Sequence, residues 1–184
     1  MKKIFLMIVL AGSQFMMAQT SKNLGDFNEV KVFDRIVVNL VQSTENRIEI
    51  EGTRHSEVEV INKNGALKIR MPFGKLLQGE NITATLYYDK IHILNAGEGS
   101  VITSSEVIKQ TALEIISKQG SQVRIKMEVS KAELAASTGG EIYVSGEAKN
   151  IDASINTGGI IEAQKLIASQ ANVTVKAGGE ASIY

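Results

Sequence analysis

The sequence predicts an all-β protein, a single-stranded parallel β-helix or solenoid preceded by irregular N-terminal strands. Three observations lead there. Short runs alternate apolar and polar residues, the second half repeats itself every 19 to 20 residues, and no segment sustains a helical period. One proline among 184 residues leaves the backbone free to pair, and the sixteen glycines fall mostly in the repeating half.

Period-two alternation begins at Phe27. Val30 and Val32 start it, then Ile36, Val38 and Leu40, then Ile48 and Ile50, then Val58 and Val60. Leu67, Ile69 and Met71 continue it, followed by Ile82, Ala84, Leu86 and Tyr88. Turn residues part the runs at Ser43 to Asn46, Gly52 to Arg54 and Asn62 to Gly65, the last reading Asn-Lys-Asn-Gly. Pro72 to Asn81 is expected to be a loop.

The repeats are anchored on Gly120, Gly139, Gly158 and Gly178, with Gly99 marking a looser earlier copy. Five residues before each anchor stand Ile115, Leu134, Ala153 and Val173, and three after stand Val123, Ile142, Ile161 and Ala181. These columns, and those two residues beyond them, are almost wholly apolar or small. The columns between are mostly polar. Such a pattern suits stacked turns, each with two short strands that share an interior and meet at a glycine corner. Only glycine takes left-handed corner conformations cheaply, which accounts for the repeated Thr-Gly-Gly without any ligand. An antiparallel sandwich is the rival arrangement, but it gives inward columns no reason to recur at this interval. The six-residue sub-period of a left-handed hexapeptide helix is absent.

The N-terminus reads as an export signal. Lys2 and Lys3 precede an apolar stretch, Ile4 to Leu10, too short to span a bilayer, and Met16-Met17-Ala18-Gln19 supplies a small residue before the cut. Residues 1–18 are therefore expected to be a signal peptide and 19–184 the mature domain, with N-terminal strands over 19–89 and stacked coils over 90–184. The absence of cysteine excludes a lipoprotein anchor and disulfide staples, so stability must come from pairing and packing. The expected location is the periplasm, the cell surface or the medium of a bacterium. Eighteen basic and twenty acidic residues remain after residue 18, which gives no electrostatic case for nucleic acid. The lack of tryptophan argues against aromatic stacking platforms.

The order of features resembles the "putative auto-transporter adhesin, head GIN domain" family of bacterial exported proteins. Phe27-Asn-Glu-Val-Lys-Val-Phe-Asp-Arg-Ile-Val-Val-Asn-Leu-Val-Gln42 looks like that family's first strand pair. Arg47-Ile-Glu-Ile-Glu-Gly52, Gly65-Ala-Leu-Lys-Ile69 and the Thr-Gly-Gly turns follow in its order. The resemblance covers residues 24 to 184. It implies a right-handed single-stranded parallel β-helix in a periplasmic or surface protein of a Bacteroidota-like bacterium, and it supplies no catalytic residues.

One side-chain constellation stands out: Glu114, Glu133 and Asp152 occupy one outward column. Stacked about 4.8 Å apart, they repel by roughly 0.9 kcal/mol per pair in bulk water, which a wet face tolerates. The same ladder is the candidate site for calcium or a basic partner, although calcium prefers six to eight oxygens. Carboxylates about 5 Å apart also match retaining glycosidases, but such a site needs a carboxyl of raised pKa in a cleft and groups that grip the sugar. His55, beside a polar turn, and His92, between Ile91 and Ile93, read as surface residues. No phosphate-cradling loop and no nucleophile–histidine–acid order is present. The expected function is a structural or interaction module of the cell envelope, adhesin-like, with protein or glycan as partner, no cofactor and no catalysis. The alternative is a polysaccharide-binding or polysaccharide-cleaving β-helix. The last copy stops at Tyr184 partway through a turn, so self-association through that end, or fraying from Ala171, is a further expectation.

Overall fold

The computed structural model describes residues 20–183, so the expected signal peptide and its cleavage point lie outside the described residues. Thirteen strands form one continuous sheet that winds into a β-solenoid. They are β1 (Thr20–Asn23), β2 (Glu29–Val32), β3 (Val37–Gln42), β4 (Arg47–Gly52), β5 (Glu59–Lys63), β6 (Ala66–Arg70) and β7 (Ile82–Tyr88). Next come β8 (Ile93–Ala96), β9 (Val101–Lys118), β10 (Gln122–Ser137), β11 (Glu141–Asn156), β12 (Ile160–Val175) and β13 (Glu180–Ile183).

From β9 to β13 the strands stack parallel and in register, as the columns require. Leu113, Ala132, Ile151 and Ala171 are successive partners, and so are Ile115, Leu134, Ala153 and Val173. Ile102, Val123, Ile142 and Ile161 form another column. The expected inward residues are buried through most of the stack, including Leu134, Ile142 and Val144, while Val173 and Val175 in the last coil are over 40% exposed.

The coils differ from expectation in one respect. Each is an unbroken strand from one glycine corner to the next, not two short strands. The opposite bend costs little pairing: only Thr111, Ser130, Lys149 and Ser169 drop out of the ladders there. That bend divides the solenoid wall into two faces. Face A, after the corner, takes the first halves of β9–β12, and face B takes their second halves.

The N-terminal strands belong to the same stack. On face A, β3 lies parallel between β7 and β9; on face B, β2 lies parallel between β6 and β8. The coil β2–β3 therefore sits between β6–β7 and β8–β9, out of chain order. Irregularity is confined to the outer edge, where β4 pairs antiparallel with β7, β1 with β4, and β5 with β6.

The corners form a ladder of their own. Thr138 and Gly139 both have positive φ (52° and 73°), and the same doubly left-handed turn recurs at Glu98-Gly99, Gln119-Gly120, Thr157-Gly158 and Ala177-Gly178. Asp34-Arg35 adopts it without glycine (60° and 64°). Each corner donates an N–H to the next one's carbonyl: Arg35 to Glu98, Gly99 to Gln119, Gly120 to Thr138, Gly139 to Thr157, and Gly158 to Ala177. The second glycine of Thr-Gly-Gly answers a different need. A Cβ on Gly140 would lie 2.1 Å from the Ser117 carbonyl oxygen. Two earlier corners carry serine there, and Ser100 and Ser121 donate hydroxyl bonds to the carbonyls of Val32 and Ala96.

The Pro72–Asn81 segment is a loop as expected, with one short 3-10 turn at Phe73–Lys75. It is held by the buried Asp34 carboxylate, which accepts bonds from the backbone N–H groups of Met71 (2.9 Å) and Leu77 (2.8 Å). Glu98 is the next corner's neighbour of Asp34. Burial first, and the Asp34 charge second, push its carboxyl pKa up.

Candidate functional site

The register places the acidic column where expected: Glu114, Glu133 and Asp152 are successive partners on face B, with Asn172 next. They border a shallow concavity of 300 Å³. Charge compensation within the column comes from Lys131. Its ammonium lies 2.6 Å from Glu133 Oε1 and 3.6 Å from Asp152 Oδ2, and Glu133 in particular raises its pKa. Asn172 Nδ2 donates to Asp152 Oδ1 at 3.0 Å. Among the described residues no group of three or more His, Asp or Glu is placed to hold a metal ion. His92 is exposed, with Ile93 beside it pairing Glu114, while His55 lies in a separate 3-10 turn with Nδ1 3.0 Å from the Gly52 carbonyl oxygen.

The larger concavity, 420 Å³, lies on face A. Its floor is β10 and β11, and bulges shape its walls. The β9 register slips against β10 between Arg124 and Lys126, and the β12 register slips against β11 between Tyr143 and Ser145. Extra residues in the two flanking strands bend them away from the straight pair between, which opens a groove.

Arg124 and Tyr143 are direct cross-strand partners here, and the guanidinium carbon stands 3.8 Å from the tyrosine ring centroid. Both are fixed from behind. Tyr143 Oη donates to Glu141 Oε2 at 2.8 Å, Gln122 Nε2 donates to the same oxygen at 2.8 Å, and Arg124 donates to Gln122 Oε1 at 3.2 Å. Hydrogen bonding to the Glu141 carboxylate raises the Tyr143 pKa, so the phenol keeps its proton at neutral pH. One row further along lie Lys126, Ser145 and Lys165. Neither ammonium has an ion-pair or hydrogen-bond partner among the described residues.

The Arg124 row extends across the face. Thr85, Asn39, Thr103, Arg124 and Tyr143 are successive partners on β7, β3, β9, β10 and β11. At one strand spacing per step this is a polar track of about 19 Å. The repeat that exposed the acidic column also carried this signal, since Thr103, Arg124, Tyr143 and Glu162 each lie four residues after a corner glycine. Their chemical variety hid it.

The family model for the putative auto-transporter adhesin head GIN domain matches residues 26–184. The chain belongs to that family. Solved structures share the fold at low identity. A putative adhesin from Bacteroides fragilis superposes with a TM-score of 0.80 at 18% identity, covering 90% of this chain and 78% of that one. One from Parabacteroides merdae gives 0.68 at 19%, covering 90% and 80%. A putative lipid binding protein from Parabacteroides distasonis gives 0.63 at 16%, covering 90% and 81%. No curated protein matches the chain. In this head GIN domain the two candidate surfaces lie on different walls, the acidic column on face B and the Arg124–Tyr143 groove on face A.

Proposed function

We propose that this head GIN domain is an exported, adhesin-like interaction module of the bacterial envelope that engages protein or glycan through face A. The observation that carries the reading is a pair of ammonium groups without a partner among the described residues, Lys126 and Lys165, beside an Arg124–Tyr143 stack whose orientation is fixed by Glu141 and Gln122. Donors held in place before a ligand arrives lose little entropy on binding, which is how a shallow surface gains affinity. Adhesin names among its structural neighbours favour the same class. On face B, by contrast, Lys131 already engages the two best-placed carboxylates.

The test is sedimentation of labelled residues 19–184 with isolated bacterial envelopes. Ser145→Trp fills the groove with a bulky side chain, and binding should be lost while the melting curve is kept. Binding that survives Ser145→Trp would refute the assignment to face A. Release of reducing ends from envelope polysaccharide by the same preparation would favour the cleaving alternative. Export is tested separately: mass spectrometry should find the mature chain starting at Gln19, and an intact Met1 would overturn it.

A further inference from the structure

Resting on the reading of face A as the binding wall, we propose that its ligand is an acidic glycan. The chain, bearing carboxylate or sulfate groups, lies across the strands along the Asn39–Thr103–Arg124–Tyr143 row with its charges toward Lys126 and Lys165.

Three features select this chemistry. The first is the kind of contact available. The floor strands β10 and β11 are paired on both sides, so no backbone edge opens into the groove and a peptide cannot add there as a further strand; the outer edge of β12, paired with β13 only over Ile160–Ala163, faces away from that floor. Recognition on that floor must run through side chains alone. The second is their identity. Asn39, Thr103, Ser104, Ser145, Gln164 and the Tyr143 phenol combine donors and acceptors that suit a polyhydroxylated ligand. None is a large exposed apolar group of the sort that anchors protein interfaces.

The third feature is charge. The groove residues include Arg124, Lys126 and Lys165 against one acid, Glu162, on a chain whose formal net charge is zero. The nearby Glu141 carboxylate is already engaged by Tyr143 and Gln122. Among the described residues Lys126 and Lys165 have no partner, and each can make a charge-assisted bond to an anionic group. They stand one row, about 7 Å along the strands, from the Arg124 row, so cationic and hydroxyl-bonding rows run side by side. Repetition at strand spacing across several coils fits a repeating polymer better than a compact small molecule. Arg124 covers one face of Tyr143 and the phenol hydrogen is given to Glu141, so the residue offers a ligand its hydroxyl oxygen as an acceptor and not a stacking platform.

The experiment is isothermal titration of residues 19–184 with polygalacturonate, heparin and neutral dextran, for the parent and for Lys126→Gln/Lys165→Gln. Both lysines are exposed, and an unchanged cooperative melt establishes that the variant is folded. Binding of at least one polyanion, absent for dextran, should fall about tenfold or more in the double variant, since the loss of even one of its two charge-assisted bonds is worth about tenfold. It should also weaken with added salt. Polyanion binding that the double variant leaves intact would overturn the proposal. Equal affinity for dextran would overturn the acidic specificity and leave the face A reading standing. No glycan binding, with envelope binding still blocked by Ser145→Trp, would overturn the glycan and again leave the face. Loss of neither kind of binding on altering face A would refute both.

Discussion

Gly140→Ala probes a close backbone approach between successive coils. The added Cβ would fall 2.1 Å from the Ser117 carbonyl oxygen, 2.3 Å from its carbon and 2.6 Å from the Lys118 nitrogen. An ordinary C···O contact is about 3.3–3.6 Å, so something must shift by more than an ångström. The obstacle is backbone, and it is held: Ser117 Oγ donates to the Ser121 carbonyl at 2.9 Å and Lys118 N donates to Ser121 Oγ at 3.0 Å. Overpacking of this kind costs about 1–3 kcal/mol, offset by about 0.4–1 kcal/mol from the stiffer unfolded chain. The mid-range net is about 1.3 kcal/mol, and with roughly 2–4 °C per kcal/mol for a chain of this size the melting temperature should fall by about 3–5 °C. Gly139→Asn is the control. Its φ of 73° suits asparagine, and the nearest atom to its Cβ is Gly120 N at 3.9 Å, so the expected cost is under about 1 kcal/mol. Thermal melts followed by far-ultraviolet circular dichroism give the comparison. An unshifted Gly140→Ala, or a Gly139→Asn that melts lower, would refute the close-approach account.

Val144→Asp puts an unpaired carboxylate at a position 4% exposed; it should cost several kcal/mol of a total near 5–15 kcal/mol, and a parent-like cooperative melt would contradict the inward assignment. Lys131→Gln should lower the melting temperature, less so in 1 M salt, because Glu133 and Asp152 then repel unscreened. Millimolar calcium should leave the parent melt unchanged, and a rise abolished by Glu133→Gln would restore the metal reading of the column. Glu98 has a raised pKa when folded, so ionising it opposes folding and its favourable contribution is lost as pH rises from the unfolded value through the folded one. Glu98→Gln should therefore stabilise at pH 7, with the gain fading toward pH 4; a pH-independent difference would show that titration is not its cause.

The sequence made the stacked half legible because parallel, in-register pairing copies one coil's inward positions onto the next at a constant interval. Leu134, Ile142 and Val144 were recoverable for that reason. The corner at Asp34-Arg35 was not, since it reaches the left-handed conformation without glycine, although Val32 and Val38 keep the six-residue spacing of Ala136 and Ile142. Period two shows which residues face inward but not which strand lies beside which, so the placement of β2–β3 between β6–β7 and β8–β9 left no trace. In the acidic column, Lys131 escaped notice although its two-residue offset from Glu133 puts both on one face. The Arg124–Tyr143 stack joins residues nineteen apart whose side chains share no chemical type.

The out-of-order coil divides the molecule into a part that is interlocked and a part that is modular. β2 and β3 are clasped on both flanks by segments made later, so a rung there cannot be inserted or removed without rethreading the chain. From β10 onward each rung pairs only with its predecessor and successor, and excision of residues 122–140 would join one corner to the next with the inward columns still aligned. Length on that side can change in increments of one strand spacing, about 4.8 Å. Because the polar track crosses these rungs, its reach would lengthen or shorten with their number.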